Sequence, residues 1–164
     1  MSDGRERLDR LVIARGWAKS RPRAERLITE FGIRVDGQVI RKPGKRVPTD
    51  AVLEPLGEEM PWVSRGAYKL LAALEAWPEI QLSDRLVLDV GSSTGGFTQV
   101  CLERGARGVF AVDTGRDQLD PELRGDPRIA LHEQTNVLDL SPSALEQSFG
   151  ARADVAVVDA SFVS

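Results

Sequence analysis

The sequence has one cysteine, Cys101, and one histidine, His132. An internal disulfide is thereby excluded, and neither a zinc set nor a Cys/His pair can be assembled. Cys101 falls on an expected helix and His132 at an expected strand end, so both read as structural. No apolar run approaches the ~18 residues of a membrane span, and the opening Met1-Ser2-Asp3-Gly4-Arg5 has no apolar signal core. A cytoplasmic protein with no metal and no membrane partner is the expectation.

What the chain does have is a split of charge. Up to Asp50 there are 13 Lys/Arg against 7 Asp/Glu, a net +6, whereas Ala51 onward carries 9 against 18, a net −9. At 164 residues the chain has room for a small domain and a modest one, and the asymmetry suggests different partners for each.

In the basic part, Leu8, Leu11 and Val12 predict a helix from Arg5 to Gly16. A second helix follows Ser20 as N-cap, with Pro22 in its first turn and a buried stripe of Ala24, Leu27, Ile28 and Phe31. Asp36-Gly37 between apolar runs predicts a two-residue hairpin over Ile33 to Ile40. Lys42 to Arg46 reads as a basic turn and Ala51 to Glu54 as a last strand. Domain bounds of 5–54 and 62–164, joined by a linker over 55–61, are expected. Arg21, Arg23, Arg26, Arg34, Arg41, Lys42, Lys45 and Arg46 place eight cations in 26 residues, the electrostatic footprint of a polyanion site. Few aromatics lie among them, so phosphate or shape reading of folded RNA suits better than base stacking.

The acidic part opens with a helix, Arg65 to Trp77, burying Ala67, Leu70, Leu71 and Leu74. Lys69 lies on its opposite side, either solvated or aimed into a cleft. Strands at 86–90, 109–113, 129–132 and 155–159 then alternate with helices at 97–104 and within 142–149. This is the βαβ rhythm of a parallel doubly wound α/β sheet.

The run Leu86-Val87-Leu88-Asp89-Val90-Gly91-Ser92-Ser93-Thr94-Gly95-Gly96-Phe97 delivers an acid and then a glycine-rich turn into a helix, which is how such a sheet presents its edge to a nucleotide. Asp89, Asp113 and Asn136 all stand at strand ends. Asp113 lies 22 residues beyond Gly91, close to the ~20 at which an acid meets ribose hydroxyls. No Gly-Lys-Ser or Gly-Lys-Thr is present for a phosphate loop. Ser93 takes the middle glycine position of a dinucleotide loop and would crowd a pyrophosphate. A cofactor with ribose and adenine but no phosphate, such as S-adenosylmethionine, fits better, and Asp89 can receive its ammonium.

These residues carry a resemblance. Arg7-Leu8-Asp9-Arg10-Leu11, Ser20-Arg21, Ala24-Glu25-Arg26-Leu27-Ile28 and Ile33-Arg34-Val35-Asp36-Gly37 resemble the ribosomal protein S-four-type (α-L) RNA-binding domain. Val63-Ser64-Arg65-Gly66, Tyr68-Lys69-Leu70, the Asp89-to-Phe97 loop, Ala111-Val112-Asp113, Thr135-Asn136 and Val158-Asp159-Ala160-Ser161-Phe162 resemble FtsJ-superfamily methyltransferases. The two in this order are similar to the TlyA family, called haemolysins and known as ribosomal RNA 2′-O-methyltransferases. The resemblance implies a small α+β RNA-binding domain followed by a Rossmann-like sheet, with ribosomal RNA or ribosomal subunits as partner and S-adenosylmethionine as cofactor. It further implies that Asp89, Gly91, Ser93, Gly95, Gly96 and Phe97 build the methionine side of a pocket, that Asp113 holds the ribose, and that Asn136 sits by the adenine, where many relatives have an acid. Of the superfamily's catalytic Lys-Asp-Lys-Glu set, Lys69 matches the first lysine and Asp159 the aspartate.

The second lysine and the glutamate have no counterpart within 164 residues. The expectation is therefore a sheet incomplete at its C-terminus, with Ala156-Val157-Val158 and Phe162-Val163 partly exposed, and a chain inactive on its own. A non-catalytic RNA-binding protein with a degenerate methyltransferase fold is the alternative. A nicotinamide-dependent dehydrogenase is opposed by Ser93, and a membrane-lytic protein finds no amphipathic or apolar segment to support it.

Overall fold

The computed structural model describes residues 4–160, which divide into two units between Pro61 and Trp62. The first unit runs β1 (Arg5–Arg7), α1 (Leu8–Ala14), α2 (Arg21–Glu30), β2 (Ile33–Val35), β3 (Gln38–Ile40), β4 (Arg46–Pro48) and β5 (Leu53–Pro55). The helix expected from Arg5 begins only at Leu8. Residues 5–7 are instead a strand, paired antiparallel with β4, in register Arg5 to Pro48 and Arg7 to Arg46. Long-range pairing outweighs local helical spacing here, because the Lys42-to-Arg46 turn brings a second strand alongside.

The hairpin forms as its turn chemistry dictates. Asp36 and Gly37 both take positive φ, 47° and 88°, the left-handed pair a type I′ turn requires. The Asp36 carboxylate accepts the Val52 N–H at 2.9 Å, tying the turn to the chain entering β5, which pairs with the other edge of β2. Leu8, Val12, Ala24, Leu27, Ile28, Ile33 and Val47 make one closed core, with Phe31 packed half-buried against it. Residues 56–61, linker-like in composition, lie against this unit. The Leu56 N–H donates to the Gly32 carbonyl at 3.1 Å, and Glu59 pairs with Arg23 at 3.0 Å.

The second unit runs α3 (Gly66–Ala76), β6 (Leu86–Val90), α4 (Gly96–Glu103), β7 (Gly108–Val112), β8 (Ile129–His132), a 3₁₀ turn (Val137–Asp139), α5 (Pro142–Phe149) and β9 (Val155–Val158). The described strands form one parallel sheet in the order β8-β7-β6-β9, the doubly wound α/β arrangement expected. The chain winds outward from β6 to β8 and then returns to β9 on the other side. The order therefore reverses between β6 and β9, where such sheets open a crevice beyond their carboxyl ends.

Strand alternation explains why both faces are covered. Val87 and Val109 pack with Ala67 and Leu70 of α3 and Val100 and Cys101 of α4. On the opposite face Phe110, fully buried, meets Phe149 of α5 edge-on at 4.9 Å between ring centres. Burying each such side chain is worth roughly 1.5–3 kcal/mol. At β9 the alternation is visible at the edge: Val155 and Val157 pack on the core while Ala156 and Val158 are exposed. Ser161, Phe162 and Val163 lie outside the described residues.

Candidate functional site

Parallel pairing brings the ends of β6, β7, β8 and β9 to one edge, so residues distant in sequence become neighbours there. The Gly91 and Ser92 N–H groups both donate to the Val112 carbonyl, at 2.9 and 3.1 Å, and the Asp159 N–H donates to the Val90 carbonyl at 3.1 Å. Gly91 has φ +79°, and a Cβ there would stand 2.8 Å from the Asp159 carbonyl oxygen, so only glycine lets the loop and the end of β9 approach this closely. Ser93 follows with φ +47°, its N–H donating to Asp113 Oδ2 at 2.7 Å.

Two adjoining clefts result. One, of about 280 Å³, is lined by Gly91, Ser93, Asp113, Gln118, Thr135 and Asn136. The other is lined by Ser64, Lys69, Ser92, Gly96, Phe97 and Asp159. Gly91, Ser93 and Asp159 border both.

Most of the residues singled out from sequence thus converge, in distinct ways. Asp113 Oδ1 accepts the Gly115 N–H at 2.7 Å, so both its oxygens serve the loops; a carboxylate offers about four acceptor positions, which leaves capacity for hydroxyl donors. Asn136 caps the 3₁₀ turn through Oδ1, accepting the Leu138 N–H at 3.0 Å. Lys69, whose orientation the sequence left open, faces Asp159: its Nζ lies 3.0 and 2.9 Å from the two carboxylate oxygens.

Gly95, with φ +99°, supplies the N-cap of α4, and Leu119 and Leu123 fill the space where its side chain would be. Asp89 lines neither cleft. It is fully buried beneath the loop, where Oδ2 accepts the Thr98 hydroxyl at 2.7 Å and Oδ1 has no partner. Burial pushes its carboxyl up to about 6; the Thr98 hydrogen bonds oppose this, and the charges of Asp113 and Asp159 add to it. Burial likewise pushes the Cys101 thiol up to about 12, so it stays protonated and unreactive.

Asp113 in one cleft and the half-paired Asp89 buried beneath, with the Asp159 charge offset by Lys69, leave the edge net negative, which favours a cationic ligand and opposes a phosphate. The donor set fits S-adenosylmethionine, which carries both a sulfonium and an ammonium: Asp113 and Asn136 stand in one cleft, and Asp89 Oδ1 and Ser92 Oγ lie buried and unpartnered at the loop. Sequence reasoning gave no site role to Thr98 and Gln118, single polar residues on no recognisable spacing, nor to Ser64 and Thr135, which it read only as parts of family-like segments. Among the described residues no group of three or more His, Cys, Asp or Glu gathers as metal ligands, and no helix is long and apolar enough to cross a membrane.

In the first unit the basic residues are organised by an acid. Asp9, fully buried, accepts from Arg7 Nε at 3.0 Å and Nη2 at 2.6 Å and from the Arg10 N–H at 2.9 Å, with Arg21 Nε 3.4 Å away. Pro43 and Lys45 carbonyls accept the N–H groups of Asp9 and Leu8, which lashes the turn bearing Lys42, Lys45 and Arg46 to the start of α1. Arg21 and this turn are thereby gathered at one end, together with Arg5 and Arg7, which the sequence did not flag.

The other arginines are engaged elsewhere. Arg34 pairs with Glu54 on the β sheet, Arg23 with Glu59, and Arg41 donates to the Thr29 and Glu30 carbonyls at the end of α2, while Arg26 is half-buried on that helix.

Comparison with known proteins identifies the family. Residues 62–164 match the FtsJ-like methyltransferase family and residues 6–53 the S4 domain. The chain belongs to the FtsJ-like methyltransferase family. Within it, the pairing of an S4 domain with an FtsJ-like domain is that of the TlyA relatives. A Mycobacterium tuberculosis protein named 16S/23S rRNA (cytidine-2′-O)-methyltransferase TlyA is 45% identical over 98% of this chain and 58% of its own length. Hemolysin A of Brachyspira hyodysenteriae is 34% identical over 96% of this chain and 64% of its own. A solved structure of a protein named as a hemolysin, from Streptococcus thermophilus, matches with a TM-score of 0.62 at 34% identity, covering 98% of this chain and 58% of that one. The chain thus spans about three fifths of the length of the family members it matches.

Proposed function

We propose that this chain is the RNA-docking and cofactor-binding part of an S-adenosylmethionine-dependent 2′-O-methyltransferase acting on ribosomal RNA in the cytoplasm. The observation that carries the reading is the meeting, across Gly91, of a nucleoside-sized cleft ending in Asp113 and a second cleft holding the Lys69–Asp159 pair. When bound, S-adenosylmethionine supplies an electrophilic methyl group on a sulfonium.

The protein's own residues do the rest. Asp113 receives ribose hydroxyls, Asn136 stands by the base, and the loop from Gly91 through Ser93 and Gly95 to Gly96, with Phe97 and the negative field of Asp89, takes the methionine end. In the second cleft the Lys69 ammonium, fixed by two bonds to Asp159, lies where a target 2′-hydroxyl would enter. A cation beside that oxygen lowers the hydroxyl's pKa and favours loss of its proton as the oxygen attacks, so positioning and a local charge supply the help. The first unit presents the Arg21, Lys42, Lys45 and Arg46 end to RNA phosphates, apart from Arg23 and Arg34, which pair with Glu59 and Glu54. Such binding weakens steeply with salt.

Calorimetry with S-adenosylhomocysteine tests the cofactor assignment. Asp113→Ala is expected to weaken binding by about 1–3 kcal/mol through lost charge-assisted bonds, and equal or tighter binding of NAD to the unchanged protein overturns it. Labelled methyl transfer to ribosomal RNA, compared with Lys69→Ala, tests whether the residues of this chain suffice for the reaction. The resemblance implies two further catalytic residues and hence no transfer.

A further inference from the structure

One wall of the cleft that ends in Asp113 is a loop with no helix or strand, residues 114–119, and its support comes from a side chain that is not in the cleft. Glu133, just past β8, accepts three successive backbone N–H groups from this loop: Asp117 at 2.8 Å, Gln118 at 2.7 Å and Leu119 at 3.0 Å. Arg124 Nη2 stands 3.6 Å from the same carboxylate, which is itself only 14% exposed. The Leu119 N–H first, then those of Asp117 and Gln118 and the Arg124 charge, hold the carboxyl below its usual range against the opposing effect of burial, so it stays ionised.

The neighbouring backbone continues the same scaffold. The Gln134 N–H donates to the Gly115 carbonyl at 2.8 Å and the Thr135 N–H to the Asp113 carbonyl at 3.0 Å. Asp117 and Gln134 both have φ +52°, a left-handed conformation that non-glycine residues keep only where their surroundings impose it. At Asp117 the N–H is held by Glu133, and at Gln134 by the Gly115 carbonyl. Of the residues Glu133 holds, Gln118 lines the cleft and Leu119 is buried under Gly95.

We propose that Glu133 is a positioning residue for the nucleoside end of the ligand, fixing Gln118 and the 114–119 wall against the cleft that ends in Asp113. This rests on the reading that the cleft takes S-adenosylmethionine. Without the carboxylate, three adjacent N–H groups lose their common acceptor and the wall loosens between its remaining ties at Gly115 and Leu119, whereas the Lys69–Asp159 cleft shares no contact with Glu133. The loss therefore falls on the nucleoside end alone.

The test compares the unchanged chain with Glu133→Gln, and with Glu133→Asp should the first variant fail to fold. Glu133→Gln is expected to raise the Kd of S-adenosylhomocysteine about tenfold and that of adenosine by the same factor, the size of one lost charge-assisted hydrogen bond. In the ligand-free protein, amide exchange at Asp117, Gln118 and Leu119 should speed up at least about tenfold, with the amides of β6 and β7 unchanged.

Unaltered exchange at those three amides overturns the proposal whatever the ligand. So does a folded variant that binds S-adenosylhomocysteine as the unchanged protein does, or one that loses it but keeps adenosine. If the unchanged chain binds neither compound, the cofactor reading itself falls, and exchange at the three amides still decides whether Glu133 holds the wall.

Discussion

Among the described residues each unit buries one aspartate completely, and the two are treated in opposite ways. Asp9 has every demand met: the Arg7 guanidinium, the Arg10 N–H and the nearby Arg21 hold its carboxyl below the usual range. Asp89 is given a single hydroxyl, from Thr98, and keeps one oxygen unpartnered, so burial drives its carboxyl up to about 6. A buried carboxylate that is fully paired is a keystone of its own fold. One left half-paired at a crevice of a parallel sheet weakens its fold so that something else can complete it.

The largest expected loss of stability comes from removing the keystone. Asp9→Ala leaves Arg7 and Arg21 without their shared anion and should cost the first unit about 2–3 kcal/mol, less than for a fully buried pair because both guanidiniums keep access to water. Amide exchange of α1 and α2 in the full chain reads this, and a change below about 1 kcal/mol would end the contrast. Since the Asp9 carboxyl lies below its unfolded value, the stability it confers is present above that value and is lost as pH falls through the folded one.

Asp89 works in the reverse direction. Its folded carboxyl holds a proton up to about 6, so the second unit should lose stability as pH rises from about 4 to about 6 and stay lower above that. Asp89→Asn keeps a partner for Thr98 and removes the titration. It should flatten that window and raise stability at pH 7 by about 2–3 kcal/mol while weakening S-adenosylhomocysteine binding. Urea titrations at pH 4.5 and 7 on both proteins check it, and a native unit equally stable at the two pH values counts against the unpaired-carboxylate account.

The smallest effect marks the baseline. Arg34→Ala breaks the exposed pair with Glu54 and should change stability by less than about 1 kcal/mol.

Much of this was legible in the sequence because local chemistry dictates it. Asp36-Gly37 can hardly avoid its turn, and the stripe of Ala24, Leu27 and Ile28 allows one buried face. Strand ends in a βαβ series converge wherever the sheet is parallel, so Asp113 and Asn136 could be placed at one edge from order alone; Asp89, read with them, is buried beneath that edge, and Asp159 was indicated only by the family resemblance. What escaped was decided at a distance. Arg5-Glu6-Arg7 has no strand signature and becomes one only beside residues 46–48. Asp9 and Glu133 look like solvated charges until the arginines and the loop amides close around them. The arginine run read as one surface is in fact divided, with Arg23 and Arg34 committed to Glu59 and Glu54.

Gly91 carries a consequence for anyone who would redesign this molecule. With 2.8 Å between a would-be Cβ and the Asp159 carbonyl oxygen, position 91 is a party wall between two rooms. Enlarging it to reshape the nucleoside side must push the lysine–aspartate side as well. A library built at this residue to alter ligand choice would be selected, unintentionally, on the geometry of the hydroxyl-facing pair, and each variant has to be scored on both.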